Sequence, residues 1–289
     1  MIFAEGPSEV REHVANWRRA GLSIAFVPTM GNLHEGHLAL VELARRQADR
    51  VVVSIYVNPL QFGPGEDFEA YPRTLDADQG KLTVAAADLL IVPRTTDIYP
   101  EGAERHTFVE VPGLSDDLCG HHRPGHFRGV TTIVCKLLNW VQPDVLILGE
   151  KDYQQLVIIR RMVADLAIPV TVIGGATVRE PAGLALSSRN AYLTPDERAQ
   201  ATELSRALTE GSTALLRGVG DFSRIEAECG ARLSRSGFRV DYVSVRRATD
   251  LSVPTPTDRS LVILAAAWLG RTRLIDNRRV DLAPSACQQ

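Results

Sequence analysis

The chain predicts an α/β fold, a doubly wound parallel sheet with a second, smaller α+β domain, on three observations. Short apolar, β-branched runs alternate with amphipathic stretches through roughly the first 175 residues, which is the alternation of βαβ units. After Gly175 the order changes to two helix-like stretches followed by strand-like runs close enough in sequence for antiparallel pairing. The length, 289 residues with 45% hydrophobic and 23% charged side chains, suffices for one large core or two unequal ones. Domains over residues 1–176 and 177–289 are expected.

In the first part, Ser23 to Val27, Val51 to Val57, Leu89 to Val92, Val145 to Leu148 and Val170 to Ile173 read as strands. Gly36 to Ala48, Asp76 to Ala87, Val130 to Val141 and Tyr153 to Leu166 read as the helices between them. Helices on both faces of such a sheet make it Rossmann-like, and sheets of this kind bind ligands beyond the carboxyl ends of their strands. The loops Pro28 to His37, Asn58 to Tyr71 and Gly149 to Asp152 leave those ends. In the second part, Thr194-Pro195-Asp196-Glu197 combines an N-cap threonine, proline at the first helical position and glutamate at N3, so a helix runs from there to about Glu210. A second helix covers Ser223 to Ser236. Val240 to Val245, Ser260 to Leu269 and Thr272 to Ile275 are strands.

Composition excludes several classes of function. A formal charge of −3 and a pI of about 6.2 supply no basic field for a nucleic-acid backbone. The longest apolar stretch, Leu261 to Leu269, is too short to span a bilayer, and Met1 to Glu5 lack the basic and apolar segments of a signal peptide, so no membrane association and a cytoplasmic location are expected. Cys119, Cys135, Cys229 and Cys287 form no CxxC pair and read as reduced thiols.

The sharpest motif is Thr29-Met30-Gly31-Asn32-Leu33-His34-Glu35-Gly36-His37, which leaves the first expected strand and opens the first amphipathic helix. His34 and His37, three apart, share one face of the helix's first turn. That turn presents unpaired backbone N–H groups and the positive end of the helix dipole, and two imidazoles there add donors for phosphate oxygens. A lone histidine would more often be a surface or cap residue; the pair after a strand points to phosphate. A zincin reading fails on spacing, since that motif needs histidines four apart and a third ligand. Neither a Walker A sequence nor a GxGxxG fingerprint is present.

A strand–loop–helix carrying HxGH is similar to the signature of the nucleotidylyltransferase superfamily. With it come Asn58-Pro59-Leu60-Gln61-Phe62-Gly63, Tyr71-Pro72-Arg73, Arg123-Pro124-Gly125-His126-Phe127-Arg128-Gly129, Gly149-Glu150-Lys151-Asp152-Tyr153-Gln154-Gln155 and Leu186-Ser187-Ser188-Arg189-Asn190. The series, in this order, resembles the pantothenate synthetases (pantoate–β-alanine ligases), and the resemblance extends to about Leu193. It implies an ATP-dependent ligase that joins pantoate to β-alanine through a pantoyl adenylate, releasing AMP and pyrophosphate, with Mg2+ accompanying the triphosphate, and a homodimer.

By the same resemblance Met30, Gly31, His34, His37, Gly149, Lys151, Asp152, Val178, Leu186, Ser187, Ser188 and Arg189 bind ATP, with His34, His37, Lys151 and Arg189 catalytic. Gln61, Gln155, Asn58 and Arg123 would bind pantoate and β-alanine. The residue chemistry agrees. Lys151, at a strand-to-helix turn, can neutralise phosphate, and Asp152 can cap the helix. Ser187-Ser188-Arg189 offers two hydroxyls and a guanidinium fork. Gln61 and Gln155 can hydrogen-bond a hydroxy acid without adding charge. Gly120, Pro124, Gly125 and Gly129 read as breaks in a flexible flap that brings Arg123, and His126 less directly, to a carboxylate or phosphate. A metal at His121, His122 and His126 would need a further ligand that the spacing does not supply.

Two departures from the family pattern stand at Pro181-Ala182, where a small residue and aspartate are usual, and at Leu186, where methionine is usual. Two rival readings stay open. One is a nucleotidylyltransferase acting on a phosphorylated acceptor, told apart by a dinucleotide product in place of AMP and an amide. The other is a nucleotide sensor without turnover, told apart by the absence of pyrophosphate release.

Overall fold

The computed structural model describes residues 1–282. Cys287 therefore lies outside the described residues; Cys119, Cys135 and Cys229 are thiols not joined in disulfides. The chain divides into two compact units, one of Met1–Glu150 with Ile158–Val178, the other of Lys151–Val157 with Arg179 onward. The sequence places the division at 176/177.

The first unit is built on a six-stranded parallel sheet in the order β1-β4-β3-β2-β5-β6. Its strands are β1 (Ile2–Ala4), β2 (Ile24–Thr29), β3 (Arg50–Ile55), β4 (Leu89–Ile91), β5 (Val145–Gly149) and β6 (Thr171–Gly175). Between them run α1 (Pro7–Arg19), α2 (Glu35–Arg45), α3 (Leu75–Val84), the single turns α4 (Thr95–Ile98) and α5 (Cys119–His122), α6 (His126–Val141) and α7 (Tyr153–Asp165), which belongs to this unit from Ile158 on. Strand period two decides the layering. Ala25, Val27, Val51 and Val53 face Val41 and Ala44 of α2 and Leu82 of α3 in one core cluster. Ile24, Phe26 and Val52, equally buried, point to the other face, where α1 lies against α6.

β1 and α1 precede the first strand that the sequence predicts. Three residues are too few for an alternation to register, while α1 buries Val10 and Val14 at helical spacing behind a proline in its first turn. The strand order reverses between β2 and β5, and a doubly wound sheet opens its ligand crevice at that reversal. The loops that leave β2 and β5 there are the HxGH loop and the Gly149 loop.

In the second unit, α8 (Pro195–Leu216) and α9 (Phe222–Arg235) cover an antiparallel sheet of β7 (Arg239–Arg247), β8 (Ser260–Leu269) and β9 (Thr272–Asp281). Leu204, Leu208, Leu215, Ile225, Leu233, Ile263 and Ala265 meet in its core. α8 starts as expected, with Thr194 and Glu197 forming a reciprocal capping box. It continues past Glu210 because Gly211 and Leu215 are buried. β9 runs beyond Ile275 because it pairs with β8 along its whole length.

Candidate functional site

The loop after β2 is shaped from beneath. Gly31 and Asn32 are consecutive left-handed residues, with φ of 82° and 50°, and such a pair turns successive N–H groups to one side. Asp78 of α3, wholly buried, accepts them: Asn32 N–H on Oδ2 and Leu33 N–H on Oδ1, each at 2.8 Å. Thr74 Oγ1 also donates to Oδ2, and Lys81 Nζ donates to the Leu33 carbonyl. A β-carbon on Gly31 would lie 3.0 Å from the Ile55 side chain and 3.2 Å from Asp78 Oδ2. Glycine therefore serves both the backbone angle and the close approach.

α2 then begins with its two histidines capping each other's backbone. His34, the N-cap, accepts the Gly36 N–H on Nδ1 at 3.2 Å, and His37 accepts the His34 N–H on Nδ1 at 3.3 Å. The rings lie 4.1 Å apart, centroid to centroid. This changes the expectation of open N–H groups in the first turn. The Gly36 N–H is taken by an imidazole, and the His37 N–H donates to the His34 carbonyl at 2.8 Å. A ring nitrogen that accepts from N–H carries no proton, so each neutral imidazole holds its proton on Nε2. The side-chain donors that the pair carries are two Nε2–H groups.

The loop after β3 forms a 3-10 turn over Pro59–Gln61. Asn58 is completely buried and its polar atoms are engaged internally: Tyr99 Oη and the Leu60 N–H donate to Oδ1, at 2.7 and 3.3 Å, while Nδ2 donates to the Gly129 carbonyl at 3.0 Å and reaches Gln61 Oε1 at 3.4 Å. Burial, foremost, and the neighbouring Tyr56 hold the Tyr99 hydroxyl above its ordinary range despite the bond to Asn58, so it stays a neutral donor. Gln61 Nε2 donates to Met30 Sδ at 2.8 Å. Gly129 makes this packing possible, because a β-carbon there would come within 2.3 Å of the Leu60 carbonyl oxygen.

The segment read as a flap makes several contacts with the loop after β3. Cys119–His122 form a helical turn and His126 starts α6. Arg123 Nε and Nη2 donate to the two oxygens of Glu66, at 2.7 and 2.5 Å, and Nη2 also reaches the Gln61 carbonyl at 3.2 Å. His126 donates from Nδ1 to the same carbonyl at 2.7 Å and accepts from Arg123 Nη1 on Nε2 at 3.1 Å. Among the described residues no group of three or more His, Cys, Asp or Glu is placed to hold a metal.

The second unit carries its own set. Lys151 lies in a 3-10 turn, Glu150–Asp152, with Nζ 3.7 Å from Asp152 Oδ2. Its carbonyl accepts from Asn277 Nδ2 at 2.9 Å. Asn277 is held in turn through Asp276, whose Oδ1 accepts the Asn277 N–H and whose two oxygens take a fork from Arg179 at 2.7 and 2.8 Å. Gln155 is half-buried beside the buried Gln154. Ser187 caps the 3-10 turn Ser188–Tyr192 by accepting the Arg189 N–H, and Asn190 Nδ2 ties that turn to the Ala185 carbonyl. Pro181 and Ala182 are exposed at the tip of a hairpin closed by the Arg179–Ala185 bridge, and Leu186 and Val178 are half-buried. Asp78, Glu66, Tyr99, Arg179, Asp276 and Asn277 carry no motif. Only spatial partners far away in sequence reveal them.

The family model of pantoate-beta-alanine ligase matches residues 3–279. Among curated relatives, the chain is 57% identical to a pantothenate synthetase of Methylococcus capsulatus over 282 residues, 98% of this chain and 99% of the relative. It is 58% identical to one from Thioalkalivibrio sulfidiphilus over 269 residues, 93% of this chain and 94% of the relative. Among solved structures, the pantothenate synthetase of Thermus thermophilus matches with a TM-score of 0.88 and 44% identity, covering 96% of this chain and 99% of that one. The ligase of Francisella tularensis, complexed with beta-gamma ATP and beta-alanine, matches with a TM-score of 0.81 and 34% identity, covering 96% and 97%.

Proposed function

With this chain a member of the pantoate–β-alanine ligase family, we propose that the loops after β2 and β3 supply its phosphate donors and its pantoate contacts. The chain is an ATP-dependent ligase that condenses pantoate with β-alanine through a pantoyl adenylate, releasing AMP and pyrophosphate. A carboxylate is a poor acyl donor because its leaving group would be oxide; bonding it to the α-phosphate turns that leaving group into AMP. The pantoate carboxylate attacks the α-phosphorus and pyrophosphate departs. The neutral amine of β-alanine then attacks the acyl carbon, the C–O bond to phosphate breaks, and AMP leaves as the amide forms.

Transfer of this kind depends on position and on stabilising charge that develops on phosphate oxygens. His34 and His37 meet the need with two Nε2–H donors whose tautomer the capping bonds set, and this single observation carries the reading. Lys151, Arg189 and the hydroxyls of Ser187 and Ser188 add charge and donors to ATP. Met30, Gly31, Gly149, Asp152, Val178 and Leu186 complete its surroundings. Gln61 and Gln155 hold pantoate; Asn58, itself buried, contributes by orienting Gln61. Arg123, paired with Glu66, contributes to the same side.

Mg2+ is proposed as the partner of the triphosphate. When bound it neutralises charge on the departing pyrophosphate. No helix among the described residues is long and apolar enough to cross a membrane, and a homodimer in the cytoplasm completes the reading. The test is isotope exchange: with ATP, Mg2+ and pantoate but no β-alanine, labelled pyrophosphate enters ATP. Exchange that required β-alanine would refute the two-step order.

A further inference from the structure

We infer that Glu66, on the loop between the Pro59–Gln61 turn and α3, is a positioning residue for pantoate, acting through Arg123 and His126 on the main chain of Gln61. The inference rests on the reading of Gln61 as a pantoate contact. Its starting point is a bidentate pair: the Arg123 side chain is 14% exposed and that of Glu66 24%. Burial alone would raise the Glu66 carboxyl, but the bonds and charge of Arg123, with a Gly63 backbone bond and His126, outweigh it and hold the group below its ordinary range. The carboxylate stays charged, and the guanidinium keeps a fixed plane.

That plane matters for what else Arg123 touches. The Gln61 carbonyl receives two donors, Arg123 Nη2 and His126 Nδ1, and Arg123 Nη1 holds the His126 ring by donating to its Nε2. The far end of the same residue is oriented independently, with Asn58 Nδ2 against Oε1 and one Nε2–H donated to Met30 Sδ. Gln61 is therefore pinned at both main chain and side chain, and its amide presents one orientation. Glu66 anchors the half of this arrangement that crosses from the loop to α6. Neutralising it would leave a partly buried guanidinium without its carboxylate, and Arg123 would leave the Gln61 carbonyl to find water.

The experiment measures KM for pantoate and for ATP, and kcat, in Glu66→Gln, Glu66→Asp, Arg123→Lys, Gln61→Ala and the Glu66→Gln/Gln61→Ala double variant. The inference expects Glu66→Gln to raise KM for pantoate about tenfold, the scale of one lost charge-assisted anchor, with KM for ATP nearly unchanged. Glu66→Asp should recover part of the loss. In the Gln61→Ala background, Glu66→Gln should add little, because both changes act on one contact. Pantoate KM unchanged in Glu66→Gln but raised in Gln61→Ala would overturn the role of Glu66 and leave the pantoate reading intact, and so would full additivity. If Gln61→Ala itself spares pantoate, both fall. Should Glu66→Gln not fold, Glu66→Asp decides: a pantoate-selective loss supports the inference, and none overturns it.

Discussion

An imidazole whose Nδ1 is committed to a backbone N–H becomes an obligate Nε2–H donor, and the proposed phosphate role of the two cap residues rests on that. Capping and chemistry can be separated by substitution. His37→Asn keeps an acceptor near the Nδ1 position and loses the Nε2–H, whereas His37→Ala loses both. Both variants should slow pyrophosphate exchange by roughly a hundred- to thousandfold, the effect of removing one donor to developing charge. Only the alanine should also lower the melting temperature, by the equivalent of about 1 kcal/mol for a lost cap. Normal exchange in His37→Asn would remove His37 from the phosphate site. The histidine spacing made this pair legible in the sequence. Its tautomers were not, because they depend on which N–H each ring accepts.

At the scale of elements, the HxGH loop is held in place by a helix that carries no motif. Asp78→Asn leaves one oxygen where two now accept N–H groups, and it turns an amide N–H2 toward a backbone donor. The cost should be about 1–3 kcal/mol, read as a lower denaturation midpoint. Pyrophosphate exchange should slow as well, because His34 follows directly on the loop. Unchanged midpoint and unchanged rate together would show that the loop keeps its shape without α3. The succession of strands and helices along the chain was legible from periodicity, since each strand and helix buries its own face. Length was less so: β9 continues as far as its partner strand does, and α8 as far as its buried residues do. The contacts of the segment around Arg123 were not legible for a related reason. Its glycines and proline read as breaks, yet the segment is held by Glu66 and by the Gln61 carbonyl, 57 and 62 positions away.

For the whole molecule, the two-step chemistry makes one further forecast. Pantoate labelled with oxygen-18 in its carboxylate should deliver one label to AMP when β-alanine is added, because the bridging oxygen stays with phosphorus as the acyl carbon is attacked. Label in inorganic phosphate, with ADP formed, would mean transfer of the γ-phosphoryl group and would remove the roles given to His34, His37 and Lys151 together. The sequence by itself determined the α/β class, the smaller α+β domain, the place of the HxGH loop at a strand's carboxyl end and the family, because periodicity and contiguous motifs are local properties of a chain. Tertiary structure alone decided the order of the strands and what supports those motifs: Asp78 under the loop, Glu66 behind Arg123, Tyr99 on Asn58, and the Arg179–Asp276 pair that steadies Asn277 on Lys151. A buried carboxylate or amide is placed by the donors that fold around it, and those donors come from distant parts of the chain.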